Sequence, residues 1–122
     1  MYLVKRWGIV GSREFRNWDQ LNKTLERHIK GPEDEIVSGG AIGVDSMAQR
    51  YAKEKGHDIK IFYPKYGLYG KPATFIRNKK IAENSDVVIA FYQKGRFQQG
   101  GTANTAKWAK ELGVPLFEYE EE

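Results

Sequence analysis

Short runs of apolar residues alternate along this chain with longer stretches in which apolar residues recur every three or four positions. The runs LVKRWGIV (3–10), EIVS (35–38), IKIFY (59–63), DVVIAF (86–91) and PLFEY (115–119) are short and rich in β-branched and aromatic residues, which predicts strands. Between them the spacing predicts four helices. The first runs from Trp18 to Lys30, with Trp18, Leu21, Leu25 and Ile29 on one face, and ends before Gly31-Pro32. The second covers about 43–55, with Val44, Met47, Ala48 and Tyr51 on one face and Gly56 as its stop. The third starts near Pro72 and reaches about Asn84. The fourth covers about 103–112, with Thr102 as its cap and Gly113 and Pro115 behind it.

Strict alternation of strands with helices of ten or more residues predicts a parallel sheet covered on both faces. The expected fold is one Rossmann-like α/β domain over residues 1–119, its five strands ordered 3-2-1-4-5, followed by a solvated acidic tail at 120–122. Ligands of such sheets sit at the carboxyl ends of the strands. That rule selects four loops: 11–15, 38–45, 64–78 and 92–102.

Composition narrows the chemistry. The 122 residues contain no cysteine, which excludes disulfides and thiolate metal sites. His28 and His57 lie in lysine- and glutamate-rich contexts that suggest surface positions, without ligand-like spacing, so no metal is expected. Lys5 and Arg6 interrupt the first apolar run, unlike a secretory leader or a membrane span, and a cytoplasmic location is expected. The formal charge is +4, yet EYEEE at the end holds four of the sixteen acidic groups. The body is therefore more basic than the total states, a balance that suits phosphate-bearing partners.

Three of the selected loops join glycine to a hydroxyl or a basic residue: Gly11-Ser12-Arg13, Ser38-Gly39-Gly40 and Gly100-Gly101-Thr102. Glycine admits a ligand close to the backbone, and free N–H groups at the following helix end attract anions; the same glycines also serve simply to turn tight corners. Arg13 and Arg77 are placed to add charge-assisted hydrogen bonds. Asp45 either stabilises the dipole of the second helix, or takes a ligand hydroxyl such as that of a ribose, or polarises an attacking group. Asn78 falls on the Phe75–Ala82 stripe that should face protein, so its amide needs partners, from a neighbouring loop or from a ligand. Tyr63, Tyr66 and Tyr69, interleaved with Lys65 and Lys71, either close a pocket against the sheet or stack a base.

Four segments together, VGSREF, IVSGGAIGVDSMAQRYAKEKG, ATFIRNKKIAENSDVVIAF and GGTANTAKWAKELGVPLF, resemble the SLOG superfamily of Rossmann-like domains, especially its YspA/YpsA-like branch. They are also similar to the core of the DprA/Smf family, where an SG-x-A-x-G-x-D turn, an RN-x-x-IA helix and a later G-T segment recur. The resemblance implies a nucleotide-related site at Gly11, Ser12, Arg13, Ser38, Gly39, Gly40, Gly43, Asp45, Arg77, Asn78, Gly101 and Thr102, and Gly100 joins them from the loop itself. A homodimer is common in the superfamily and is expected here.

The expectation that follows is binding of a nucleotide or nucleotide-derived molecule, as a sensor or signalling module, with no other cofactor. Two alternatives stay open. The LOG phosphoribohydrolases, enzymes of the same superfamily, cleave nucleoside monophosphates with a PGG-x-GT-x-x-E motif. Here QGGTANT lacks the proline and the spacer and carries Thr105 where the glutamate would fall, so no catalytic residue is assigned. The DprA/Smf resemblance implies instead single-stranded DNA, held by Lys65, Lys71, Arg77, Lys79 and Lys80, with the acidic tail opposing it.

Overall fold

A computed structural model of the chain describes residues 3–122; Met1 and Tyr2, at the start of the expected domain, lie outside the described residues. Five strands and five helices follow in the order β1 (Arg6–Gly11), α1 (Trp18–His28), β2 (Glu35–Ser38), α2 (Val44–Lys55), β3 (Ile59–Ile61), α3 (Tyr66–Tyr69), α4 (Ala73–Glu83), β4 (Val87–Tyr92), α5 (Gly100–Glu111) and β5 (Leu116–Glu120). The sheet is parallel throughout, as the alternation predicts, and its order is the expected β3-β2-β1-β4-β5. β1 begins three residues later than expected, and the turn α3 inside the 64–78 loop had no counterpart in the periodicity.

The two-residue period of the strands divides the core into two layers. Trp7 and Ile9 of β1 and Val87, Ile89 and Phe91 of β4 point to one side, where they meet Leu21 and Leu25 of α1 and Val44, Ala48 and Tyr51 of α2. Val10, Val88, Ala90 and Tyr92 point to the other side, against Ile81 of α4 and Ala109 of α5. β4 is buried at every position, as a central parallel strand covered on both faces must be. Each fully buried aliphatic or aromatic side chain of these layers contributes roughly 1.5–3 kcal/mol relative to exposure.

Several details depart from the sequence reading. α5 starts at Gly100, so Thr102 lies inside its first turn and the capping position falls to Gln99. Phe75 is 56% exposed, whereas Asn78 beside it is buried as expected. The histidines are partly buried rather than at the surface: His28 Nε2 lies 2.6 Å from the Tyr119 hydroxyl and its ring packs on Phe117, while His57 Nδ1 lies 2.8 Å from the Asp34 carbonyl and its ring stacks on Tyr51. Burial lowers the His28 pKa, with Arg27 adding to the effect.

The acidic end is not a free tail. Glu120 closes β5, and its carboxylate accepts from the Gly95 N–H at 2.8 Å. One carboxylate oxygen of Glu121 accepts from the N–H groups of Arg16 and Asn17, at 2.8 and 3.0 Å. Glu118 accepts from the Tyr92 hydroxyl at 2.6 Å and from the Gln98 amide at 3.2 Å. These carboxylates tie β5 to the β1–α1 and β4–α5 loops. Among the described residues, no helix is long and apolar enough to cross a membrane, and no group of His, Asp and Glu is arranged to hold a metal ion.

Candidate functional site

The carboxyl edge of the sheet carries a cavity of about 350 Å³ between the β1–α1 loop, the β2–α2 turn, α4 and the start of α5. Of the residues expected at a site, Gly11, Ser12, Arg13, Gly39, Asp45, Arg77, Asn78, Gly100, Gly101 and Thr102 line it. Ser38, Gly40 and Gly43 do not, and Ser38 is fully buried at the end of β2.

The glycines around Asp45 are small for reasons internal to the protein. A Cβ on Gly39 would stand 2.6 Å from the Arg77 guanidinium, and one on Gly40 would stand 2.5 Å from the Tyr63 ring. One on Gly43, whose φ is +73°, would meet the carbonyl oxygens of Ser12 and Arg13 at 2.5 Å. The space at these positions is filled by side chains and backbone. Gly101 differs: a Cβ there would meet nothing within 4 Å.

Arg77 is anchored rather than free. Its guanidinium donates to the Gly39 carbonyl at 2.6 Å and, more weakly, to the Phe62 carbonyl at 3.4 Å, and its Nε donates to Asn78 Oδ1 at 2.9 Å. Burial lowers its pKa, with Asp45 pulling the other way. The Asn78 amide donates to Asn104 Oδ1 at 3.1 Å, and to the Gly101 carbonyl at 3.4 Å, so its partners are protein groups that fasten α4 to α5. Asp45 Oδ2 accepts from the Ala41 N–H at 3.0 Å, which closes the β2–α2 turn. Burial nevertheless raises the Asp45 pKa above its usual 3.8, outweighing that hydrogen bond and the nearby Arg77 and Arg13 charges.

The two helices that open onto this edge differ in what their N-termini have left to offer. α2 already holds an acidic residue, Asp45, in its first turn, and the Val44 N–H donates to the Ser12 carbonyl at 3.2 Å. The Ser12 hydroxyl accepts from the Glu14 N–H at 3.0 Å, which orients it while leaving its O–H to donate. α5 has no acidic residue in its first turn and no side-chain cap, so the N–H groups of Gly100, Gly101 and Thr102 have no intrahelical partner. Positive potential at that end is therefore uncompensated by its own helix.

Arg96, Gln99, Gln93, Thr74 and Thr105 also line the cavity and are not among the expected site residues; Gln93, Arg96 and Gln99 lie in the selected 92–102 loop and Thr74 in the 64–78 loop, whereas Thr105 lies outside the selected loops. Arg96 lies in the polar stretch QKGRFQQ, four residues before α5, which was the available signal. Thr105 is buried in the wall, in place of a carboxylate. The intervening loop holds Gln98 at φ 60°, an uncommon value for a residue with a side chain, and Glu118 and Glu120 grip it on either side of Arg96. The cavity thus gathers Arg13, Arg77 and Arg96 against Asp45 and Glu14. Arg13 and Arg96 are exposed, which leaves them available to a ligand.

Comparison with known proteins gives a consistent direction. The family model described as DNA recombination-mediator protein A matches residues 2–64. Among solved structures, DNA processing protein A of Helicobacter pylori, for which a single-stranded DNA binding mode is described, is 25% identical with a TM-score of 0.72 over 93% of this chain. DNA processing protein A of Streptococcus pneumoniae is 26% identical with a TM-score of 0.71 over 94% of this chain. The chain spans 64% and 50% of those two structures, less than two thirds of either. No curated protein matches it significantly.

Proposed function

From the premise that this chain belongs to the DNA recombination-mediator protein A family, with the Rossmann-like core its sequence resembles, we propose that it binds single-stranded DNA at the carboxyl edge of its sheet. The observation that carries the reading is the unserved N-terminus of α5 beside the exposed Arg13 and Arg96. Three free N–H groups and two exposed guanidinium groups form a seat for one backbone phosphate. Arg77, held by carbonyls, contributes charge to the wall and keeps α4 in place. The basic loop and helix residues Lys65, Lys71, Lys79 and Lys80 extend the attraction to neighbouring phosphates. The acidic end is fixed rather than free, with three of its carboxylates in hydrogen bonds to the scaffold, and their charge opposes a polyanion from those fixed positions.

A second reading, binding of a free nucleotide or nucleotide-derived molecule as in a YspA/YpsA-like sensor, is favoured by the cavity volume of about 350 Å³, which lies at the lower end of small-molecule sites. Asp45 is less suited to a sugar hydroxyl than the sequence suggested, because its Oδ2 already closes the turn. We assign no hydrolytic step: Thr105 replaces the carboxylate that glycosidic cleavage would use.

One titration separates the readings. Anisotropy of labelled thymidine oligonucleotides of increasing length, across a salt series, should show affinity rising with length. For single strands the logarithm of the affinity should fall with a slope of roughly 0.7 per phosphate engaged. Arg13→Ala with Arg96→Ala should flatten that slope. A mononucleotide that binds as tightly as any oligonucleotide, with shallow salt dependence, would transfer the site to the small-molecule reading. Sedimentation of the same samples tests the proposed homodimer.

A further inference from the structure

On the far side of Arg77 from the α5 seat lies a second cavity of about 310 Å³, with Arg77 in the wall of both. Tyr63, Tyr69 and Ile76 supply its apolar surface. Its charged lining residues are Lys65, Arg77 and Lys80, all cationic, and no carboxylate lines it. Tyr63 is 61% exposed and Tyr69 38%, so two large rings that would ordinarily seek burial are kept partly in water. Tyr63 is nonetheless held, because its ring packs against the Gly40 backbone, where a Cβ would stand 2.5 Å from it. A ring supported on one side and open on the other is a platform for a flat partner.

We propose that this second cavity seats one unstacked base of a bound single strand; the inference rests on the single-strand reading above. The cationic rim complements the phosphates that flank a base, and a strand with one phosphate at the start of α5 carries its neighbouring base across Arg77 to the tyrosines. Ring faces stack on any base, so the seat tolerates sequence. A paired base cannot enter without leaving its duplex, so the seat selects against double-stranded DNA.

The test compares a thymidine oligonucleotide with one of equal length in which abasic sites replace the bases, so that phosphate contacts are constant. Wild-type protein should bind the normal strand about tenfold more tightly than the abasic one, within the range of one base stacked on an aromatic ring. Tyr63→Ala and Tyr69→Ala, each checked for an unchanged melting transition, should lose most of that ratio while binding the abasic strand as wild type does. Tyr63→Phe, which keeps the ring, should retain the ratio and serves if Tyr63→Ala fails to fold. Equal affinity of wild type for the two strands would overturn the base seat while leaving the single-strand reading standing, and would assign the cavity to another occupant such as a protein side chain. Alanine variants that weaken both strands alike would overturn it too. Absence of binding to either strand by wild type would overturn the seat together with the reading beneath it.

Discussion

Two helices begin at the carboxyl edge of the sheet behind glycine-rich turns, and the two turns look alike in sequence. SGGAIG leads into α2; QQGGT leads into and through the first turn of α5. In the first turn the small residues make room for the protein itself: the Arg77 guanidinium over Gly39, the Tyr63 ring over Gly40, and the Ser12–Arg13 backbone against Gly43. Its helix is also provided with a negative charge by Asp45. In the second turn nothing crowds Gly101, and α5 has neither an acidic residue nor a cap at its start. The same composition thus serves interior packing in one place and an open row of donors in the other. Glycine enrichment alone does not distinguish them; what stands around each glycine does.

Substitutions at the two turns should therefore separate stability from binding. The largest effect is expected at Gly43→Ala, where a left-handed backbone and two carbonyl oxygens at 2.5 Å oppose a methyl group. Urea denaturation should show a loss of about 3 kcal/mol or more. Gly101→Ala should leave stability unchanged or raise it by up to about 1 kcal/mol, since alanine is the better helix former. Equal losses at the two positions would break the comparison.

The next effect moves the α2 arrangement onto α5. Thr102→Asp places a carboxylate in the first turn of α5, where it should stabilise the helix by about 0.3–1 kcal/mol. The same charge should weaken binding of a thymidine oligonucleotide by roughly tenfold, equivalent to about 1.4 kcal/mol. Unchanged affinity would mean that this helix end is not the phosphate seat.

A smaller loss is expected at Glu121→Ala, which removes the acceptor of the Arg16 and Asn17 N–H groups. It should cost about 1–2 kcal/mol and speed hydrogen exchange at those two amides, leaving the Gly39–Gly43 turn protected.

The smallest effect concerns pH. Burial raises the Asp45 pKa, so ionisation costs the folded state more than the unfolded one. Wild-type stability should thus decline as pH rises from the usual 3.8 through the raised value, and Asp45→Asn should lack that decline. The variant should be at least as stable as wild type at pH 7 and indistinguishable below pH 3.8. A wild-type advantage that grows with pH would show that the attraction of Arg77 and Arg13 outweighs burial.

Most of the fold was legible because each strand is a compact apolar run and each long helix repeats its apolar residues at its own period. The alternation makes the sheet parallel, and the strand order observed is the default for such an alternation rather than its consequence. α3 was not legible, since a single turn with no buried residue leaves no periodic trace. Phe75 was expected inward with Asn78 because the two share a helical spacing, yet only Asn78 finds partners, on Asn104 and Gly101 of the neighbouring helix. Positions of the candidate site were legible from the rule about strand ends, but their roles were not. Gly39 and Arg77 are 38 residues apart, and no local pattern states that one lies against the other. Arg96 left only the polar stretch QKGRFQQ as a signal for a related reason: its place in the wall depends on a loop shaped by Glu118 and Glu120 from the next strand.

The claim that the α5 end, and not the α2 turn, receives a phosphate can be read amide by amide. A titration of isotopically labelled protein with a short thymidine oligonucleotide, followed by amide NMR shifts, should move Gly100, Gly101 and Thr102 most and leave Gly40 and Gly43 nearly still. Large shifts confined to Gly39–Gly43, with the α5 amides unmoved at saturation, would contradict the account.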